Sequence, residues 1–183
     1  MVDWSSFQAK DYQVSAKIAG VLHRDGAIRK IIQLFTITGT AIFWILGLFI
    51  CYIFSLTDRS KIYTIGFVMI IMLIPVFIIK HIIKRPRPDF KDTRLGAIAF
   101  DKWSFPSGHA TRATYIMILM GLLYPHSLWF WILWGCLILL SRLLLGVHYL
   151  SDILAGIIFS TLCMWILYLI NWIPEAPFSS FFH

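Results

Sequence analysis

Residues 141–152 read Ser-Arg-Leu-Leu-Leu-Gly-Val-His-Tyr-Leu-Ser-Asp, and they set Arg142, His148 and Asp152 into an otherwise apolar sequence. Placing a charge or an imidazole in hydrocarbon is costly enough that such residues are functional by default. Their surroundings decide the fold. Of 183 residues, 59% are hydrophobic and only 14% charged, well beyond the apolar share of an ordinary soluble domain. A soluble helical core needs helices with polar outer faces, and most candidate helices here have none. The chain is therefore expected to form an all-α integral membrane helix bundle.

Working outward from that stretch, hydrophobic runs cover roughly residues 31–54, 62–79, 107–124, 128–145 and 148–173, which predicts about five transmembrane helices at ~20 residues per crossing. The run from Ser107 stops before Pro125 and makes a short crossing. The next opens with Trp129, Phe130, Trp131 and Trp134, an interfacial aromatic belt, and Gly146 is placed to break the helix between the last two spans. Ahead of the spans, residues 4–22 put Trp4, Phe7, Val14, Ile18 and Val21 roughly on one side of a helix and Lys10, Lys17 and Arg24 on another. That pattern fits an N-terminal interfacial helix, or equally a solvated helix packed on the rest. The chain thus divides into an amphipathic interfacial segment, 1–30, and a transmembrane domain, 31–183. Charges scattered through the first thirty residues argue against a cleavable signal peptide. Cys51, Cys136 and Cys163 lie inside apolar runs without metal-ligand spacing and read as packing residues rather than a disulfide framework.

The longest polar connection, Lys80 to Phe105, carries Arg85-Pro86-Arg87-Pro88, where the prolines enforce extended backbone. Within it Leu95 to Phe100 is apolar again and is expected to dip back to the bilayer surface. Counting crossings turns these runs into geometry. If the second span ends on one side of the membrane, the third starts there, the fourth returns there and the fifth departs from there. Lys80 to Arg87, Ser107 to His109, and Arg142 to Asp152 then converge on one face.

Each motif has a bland reading: Lys80 and Arg87 as snorkelling anchors, Pro106-Ser107-Gly108-His109 as a turn and helix start, Arg142 and Asp152 as a structural pair. All three would have to hold together on one face, whereas phosphoryl transfer accommodates them at once. Lys80, Arg87 and Arg142 can surround phosphoryl oxygens. Backbone N–H groups near Ser107 and Gly108 at a helix N-terminus, with the Ser107 hydroxyl, add donors for an anion. His148 and Asp152 are four apart and would share one helix face, so Asp152 can fix the imidazole tautomer of a nucleophilic His148, leaving His109 as general acid. Two histidines and a carboxylate can also bind zinc or iron, but three nearby cations oppose a divalent metal. No metal and no dissolved cofactor is expected.

These residues resemble the signature of the type-2 phosphatidic acid phosphatase family: Lys-x6-Arg-Pro at Lys80 with Arg87-Pro88, Pro-Ser-Gly-His at Pro106 to His109, and Ser-Arg-x5-His-x3-Asp at Ser141, Arg142, His148 and Asp152. The resemblance implies a metal-independent membrane phosphatase working through a phosphohistidine on His148, oriented by Asp152, with His109 as acid and Lys80, Arg87, Ser107, Gly108 and Arg142 holding phosphate. Membrane members of the family commonly have six spans, a departure from the count here that lies before the motifs. The substrates implied are lipid phosphates: phosphatidate, phosphatidylglycerol phosphate, undecaprenyl diphosphate or lipid A phosphates.

A lipid phosphotransferase would share the same intermediate, and a headgroup transporter could use the same cations without chemistry. The formal charge of +7 clusters beside apolar spans rather than in a soluble groove, which points to the bilayer and an anionic lipid as partners, and not to nucleic acid. All Lys and Arg except Arg59 and Lys61 fall on the motif-bearing side or within spans, so the positive-inside rule favours a cytoplasmic site. The resemblance favours an outward-facing site in a bacterial cytoplasmic membrane, and that is the expectation adopted.

Overall fold

A computed structural model describes residues 4–22, 26–89 and 102–173. Seven α-helices carry the described chain: α1 (Trp4–Ala19), α2 (Ala27–Thr36), α3 (Ala41–Ile53), α4 (Arg59–Ile83), α5 (Gly108–Leu123), α6 (Leu128–Leu144) and α7 (Leu150–Leu169). α4, the stretch Pro125–Leu144 ending in α6, and α7 are each long and apolar enough to cross a membrane, and α2 with α3 would add a fourth span. The expected all-α membrane bundle is the observed architecture. Side chains such as Ile70, Phe77, Leu133, Leu154 and Ile158 are exposed on its outside, as a hydrocarbon solvent permits.

The centre is α5. At 16 residues it is short, and it is gripped by α6 and α7. The sequence explains the closeness: Ala110, Thr111, Ala113 and Thr114 keep its buried face narrow, the small-residue solution to helix packing in lipid. Gly156 on α7 and Gly135 on α6 complete it. A Cβ at Gly156 would lie 3.1 Å from Ser107 O and the Thr111 backbone nitrogen, and one at Gly135 would lie 3.0 Å from Met117 Sδ. Ser160 Oγ donates to Thr111 O at 2.9 Å across the same contact.

The first expected span is not one continuous helix. α2 and α3 meet at 58° across a single 3₁₀ turn, Ile37–Gly39. Thr36-Ile-Thr-Gly-Thr40 lets the break form because its threonines satisfy the freed backbone. Thr40 Oγ1 accepts from Phe43 N at 3.2 Å as N-cap of α3. Trp44 Nε1 donates to Thr38 O at 2.8 Å, and Trp134 Nε1 to Thr38 Oγ1 at 2.9 Å. Irregular backbone at membrane depth persists only where protein covers it or it lines a cavity, and this elbow faces the bundle.

The second span runs past its expected end near Ile79 to Ile83, where Lys84 takes a left-handed conformation with φ of 49°. Lys80 therefore sits in a helical last turn and is buried. α1 departs from the amphipathic expectation in an instructive way: Phe7, Tyr12, Val14 and Val21 point outward, while Asp11 and Ser15 are buried against the bundle. The apolar patch Leu95 to Phe100, Arg24, and the tail from Pro174 lie outside the described residues.

Candidate active site

His148 lies in the turn between α6 and α7, a turn made possible by Gly146 at a φ of 69°. It is 1% exposed. Arg87 Nη1 donates to Val147 O at 3.1 Å and lies 3.4 Å from His148 Nε2. On the other side of the ring, His148 Nδ1 stands 3.5 Å from Asp152 Oδ2. A guanidinium at Nε2 and a carboxylate at Nδ1 favour the tautomer with the proton on Nδ1 and a lone pair on Nε2, directed at an anion-attracting group.

The pair does not arise from four-residue spacing on a helix, as the sequence suggested. His148 precedes the helix, Tyr149 is its N-cap, and Asp152 folds back so that Oδ2 accepts from Tyr149 N at 3.0 Å. Capping geometry, not helical periodicity, brings the carboxylate to the imidazole.

Asp152 ties all three sequence motifs together. Its backbone carbonyl accepts from Ser107 N at 3.1 Å, and its Oδ1 accepts from Arg85 Nη1 at 2.7 Å. Arg85 was not among the expected site residues, yet it is the direct cationic partner of the aspartate. Its guanidinium also donates to Ser151 Oγ at 2.6 Å and to Asp11 Oδ2 at 2.8 Å, and it lies 3.9 Å over the Tyr149 ring. Asp11 is equally unforeseen. From α1 it accepts from Ser151 N at 3.2 Å and from the Ser151 hydroxyl, and one turn later Ser15 Oγ accepts from Leu150 N at 2.9 Å. The N-terminal helix is thereby fastened to the first turn of α7, where Asp152 sits.

At the C-terminal end of α4, Lys80 Nζ donates to Trp103 O at 2.8 Å. A Cβ added at Gly108 would meet nothing nearer than Lys80 Cε at 4.0 Å, so the chain's own packing leaves room there. Gly108 and His109 form the first turn of α5, whose N–H groups have no intrahelical acceptor. One expected donor is withdrawn: the Ser107 N–H is committed to Asp152. The Ser107 hydroxyl oxygen caps α5 by accepting from Ala110 N at 3.3 Å, which leaves its proton for another partner. Arg142 is buried and donates to Thr36 Oγ1 at 3.1 Å, and Thr36 also bonds Ser141 Oγ at 3.0 Å. His109 lies in the field of Arg142, Arg112 and Arg87, with His148 among its electrostatic neighbours, and its ring packs against the elbow at Gly39. Among the described residues no group of three or more His, Cys, Asp or Glu side chains is arranged as metal ligands.

An apolar groove of about 650 Å³ runs between α3 and α4, walled by residues such as Ile45, Phe49, Phe67, Ile70 and Leu73, with Arg112 and Tyr115 also lining it. A small cleft shares Arg112 and Tyr115 with the groove and reaches Gly108. All eight expected site residues thus gather at one end of the bundle.

Cations around a buried imidazole at one end of a helix bundle are the kind of arrangement that suits phosphoryl groups. The PAP2 superfamily profile matches residues 61–174, and the chain belongs to that superfamily. It is similar to decaprenylphosphoryl-5-phosphoribose phosphatase of Mycobacterium tuberculosis, 38% identical over 90 residues, 44% of each chain. It is also similar to lipid A 1-phosphatase of Rhizobium etli, 34% identical over 90 residues, 45% of this chain and 38% of that one. The match thus spans less than half the length of these relatives. Among crystal structures, the fold resembles a transmembrane PAP2-type phosphatidylglycerolphosphate phosphatase from Bacillus subtilis, with a TM-score of 0.75, 19% identity and 94% and 90% of the two chains covered. Aquifex aeolicus LpxE gives a TM-score of 0.64 at 21% identity over 84% and 92%.

Proposed function

We propose that this protein is an integral-membrane lipid phosphatase that hydrolyses a lipid phosphomonoester or diphosphate through a phosphohistidine on His148. The observation that carries the proposal is the polarity across that imidazole, with Arg87 at Nε2 and Asp152 at Nδ1. In the first step Nε2 attacks phosphorus, the bond from phosphorus to the lipid oxygen breaks, and His109 delivers a proton to the departing oxygen. Asp152, held by Arg85, stabilises the positive imidazole. Lys80, Arg87, Arg142 and the first turn of α5 hold the phosphoryl oxygens, with Ser107 and Gly108 at its entry. In the second step water attacks, His109 takes its proton, the nitrogen–phosphorus bond breaks and phosphate leaves.

The relatives support a lipid substrate: decaprenylphosphoryl-5-phosphoribose and lipid A are both named in them. The groove between α3 and α4 supports lateral entry, the hydrocarbon remaining at membrane depth. Exposed Phe7, Tyr12 and Val14 beside Lys10 and Lys17 support α1 as an interfacial helix on the same face. The test is phosphate release by purified protein from phosphatidate, phosphatidylglycerol phosphate, undecaprenyl diphosphate and lipid A, with His148→Ala as blank and EDTA in a parallel set. Release that survives in His148→Ala, or that EDTA abolishes, would overturn the mechanism. Labelled phosphate appearing on an acceptor lipid instead of in water would make the protein a phosphotransferase.

The site is further proposed to face outward from a bacterial cytoplasmic membrane. The basic excess at this end argues against that orientation, but Lys80, Arg85, Arg87 and Arg142 are engaged at the site. A Lys84→Cys variant lacking the three native cysteines should react with a membrane-impermeant maleimide in intact cells. Reaction only after lysis would reverse the orientation.

A further inference from the structure

Arg112 has no role in the three motifs, yet it stands one helical turn beyond His109 on α5. It lines both the apolar groove and the small cleft leading to Gly108. Among the described residues it is the one charged side chain lining that groove. Its Nη1 donates to Gly39 O at 3.0 Å, and Tyr115 lines both the groove and the cleft with it. Those contacts orient the group without neutralising it. Among the described residues no carboxylate pairs with Arg112, and its buried Nε has no hydrogen-bond partner. Arg85, by contrast, is shared between two carboxylates.

A guanidinium held at membrane depth without a counter-ion is costly. A tie from α5 to the Gly39 carbonyl needs only a neutral donor, so the positive charge calls for another reason. Position supplies one. Arg112 acts electrostatically on His109 and shares the cleft with Gly108, so a substrate whose leaving oxygen meets His109 and whose chain lies in the groove would carry its next atom past Arg112. For a simple lipid phosphate that atom is carbon. For a lipid diphosphate it is a second phosphorus bearing negative oxygens.

We infer that Arg112 is a subsite for a second, non-reacting phosphate, making a lipid diphosphate the preferred substrate of the site; this rests on the phosphatase reading above. His148 Nε2 bonds to the terminal phosphorus, the bond from that phosphorus to the bridging oxygen breaks, and the bridging oxygen departs with its electron pair on the lipid monophosphate. Water then releases inorganic phosphate from the histidine. Arg112 stabilises the charge gained by the departing monophosphate, which a guanidinium fork suits.

The experiment compares farnesyl diphosphate with farnesyl phosphate, which share one hydrocarbon chain, in wild-type, Arg112→Gln and Arg112→Lys protein in micelles. Wild type should favour the diphosphate in kcat/KM, and Arg112→Gln should lower the diphosphate value more than the monophosphate value by about 10- to 100-fold, the scale of a lost charged hydrogen bond. Arg112→Lys should recover part of that selectivity. Equal loss on both substrates, no loss on either, or a wild-type preference for the monophosphate would overturn the subsite. If Arg112→Gln melts early in detergent, binding decides instead: farnesyl methylenediphosphonate should bind His148→Ala protein more tightly than farnesyl phosphonate, and an equal affinity for the two would also overturn it. Absence of phosphate release from either ester in wild type, with the diphosphonate still bound preferentially, would sink the phosphatase reading while leaving the subsite standing.

Discussion

Removing Arg85 should do more damage than removing any other cation of the site, because it is shared between the Asp11 and Asp152 carboxylates. In Arg85→Met the carboxylates of Asp152 and Asp11, 0% and 8% exposed, lose their shared counter-ion. Breaking a buried ion pair from one side costs about 3–5 kcal/mol. The Arg85 side chain keeps 19% exposure, which argues for the lower end, about 3 kcal/mol. For a chain of this length that corresponds to a melting temperature lower by roughly 6–12 °C. The imidazole should also lose its fixed partner, lowering kcat about a hundredfold, as expected for slight misplacement of a reacting group.

Adding Asp11→Asn removes one of the two stranded charges, so the double variant should melt above Arg85→Met alone, with a coupling of about 1–2 kcal/mol. Thermal unfolding in mild detergent and phosphate release are the two readouts. A shift under about 2 °C for Arg85→Met, or strictly additive effects of the two substitutions, would refute the shared-guanidinium reasoning.

Gly108→Ala should leave the melting temperature within a few degrees, because the new Cβ meets only Lys80 Cε at 4.0 Å, while inhibition by orthovanadate or phosphate weakens about tenfold or more as the methyl takes anion space. Gly156→Val should lower kcat by about 10- to 100-fold, since side-chain atoms wedged against Ser107 O and Thr111 push α7 and its Asp152 from α5; wild-type turnover would contradict the close approach. Thr36→Val removes the oxygen that Arg142 Nη1 reaches at 3.1 Å. It should cost about 1.5–3 kcal/mol of stability, the range for a hydrogen bond to a charged group, and an unchanged melting curve would count against that contact.

The convergence of Lys80, Arg87, Ser107, Gly108, His109, Arg142, His148 and Asp152 was legible because span lengths and crossing parity fix which motif ends share a face. Arg85 escaped because only Arg87 fitted a phosphate role. The signal was nonetheless present, since proline-enforced extended backbone has a period near two and sends residues 85 and 87 the same way. Asp11 and Ser15 escaped for a different reason: amphipathic reasoning turns the apolar side of a helix inward, whereas in lipid the apolar side faces out and the polar stripe at i and i+4 seeks protein. The elbow at Thr36 to Thr40 carried neither proline nor charge, and hydropathy alone cannot separate a broken span from a straight one.

Ser104 has a consequence for how the chain can be altered. Its N–H donates to Arg85 O at 2.9 Å and its hydroxyl to Pro86 O at 3.0 Å, so the polypeptide entering and leaving the stretch 90–101 is clamped together at its base. Lengthening that stretch adds loop-closure entropy of only about 0.6 kcal/mol for each doubling. A tag spliced between 90 and 101 is therefore expected to leave the hydrogen bonds from Ser104 to Arg85 and Pro86 in place, which phosphate release by such insertion variants would report.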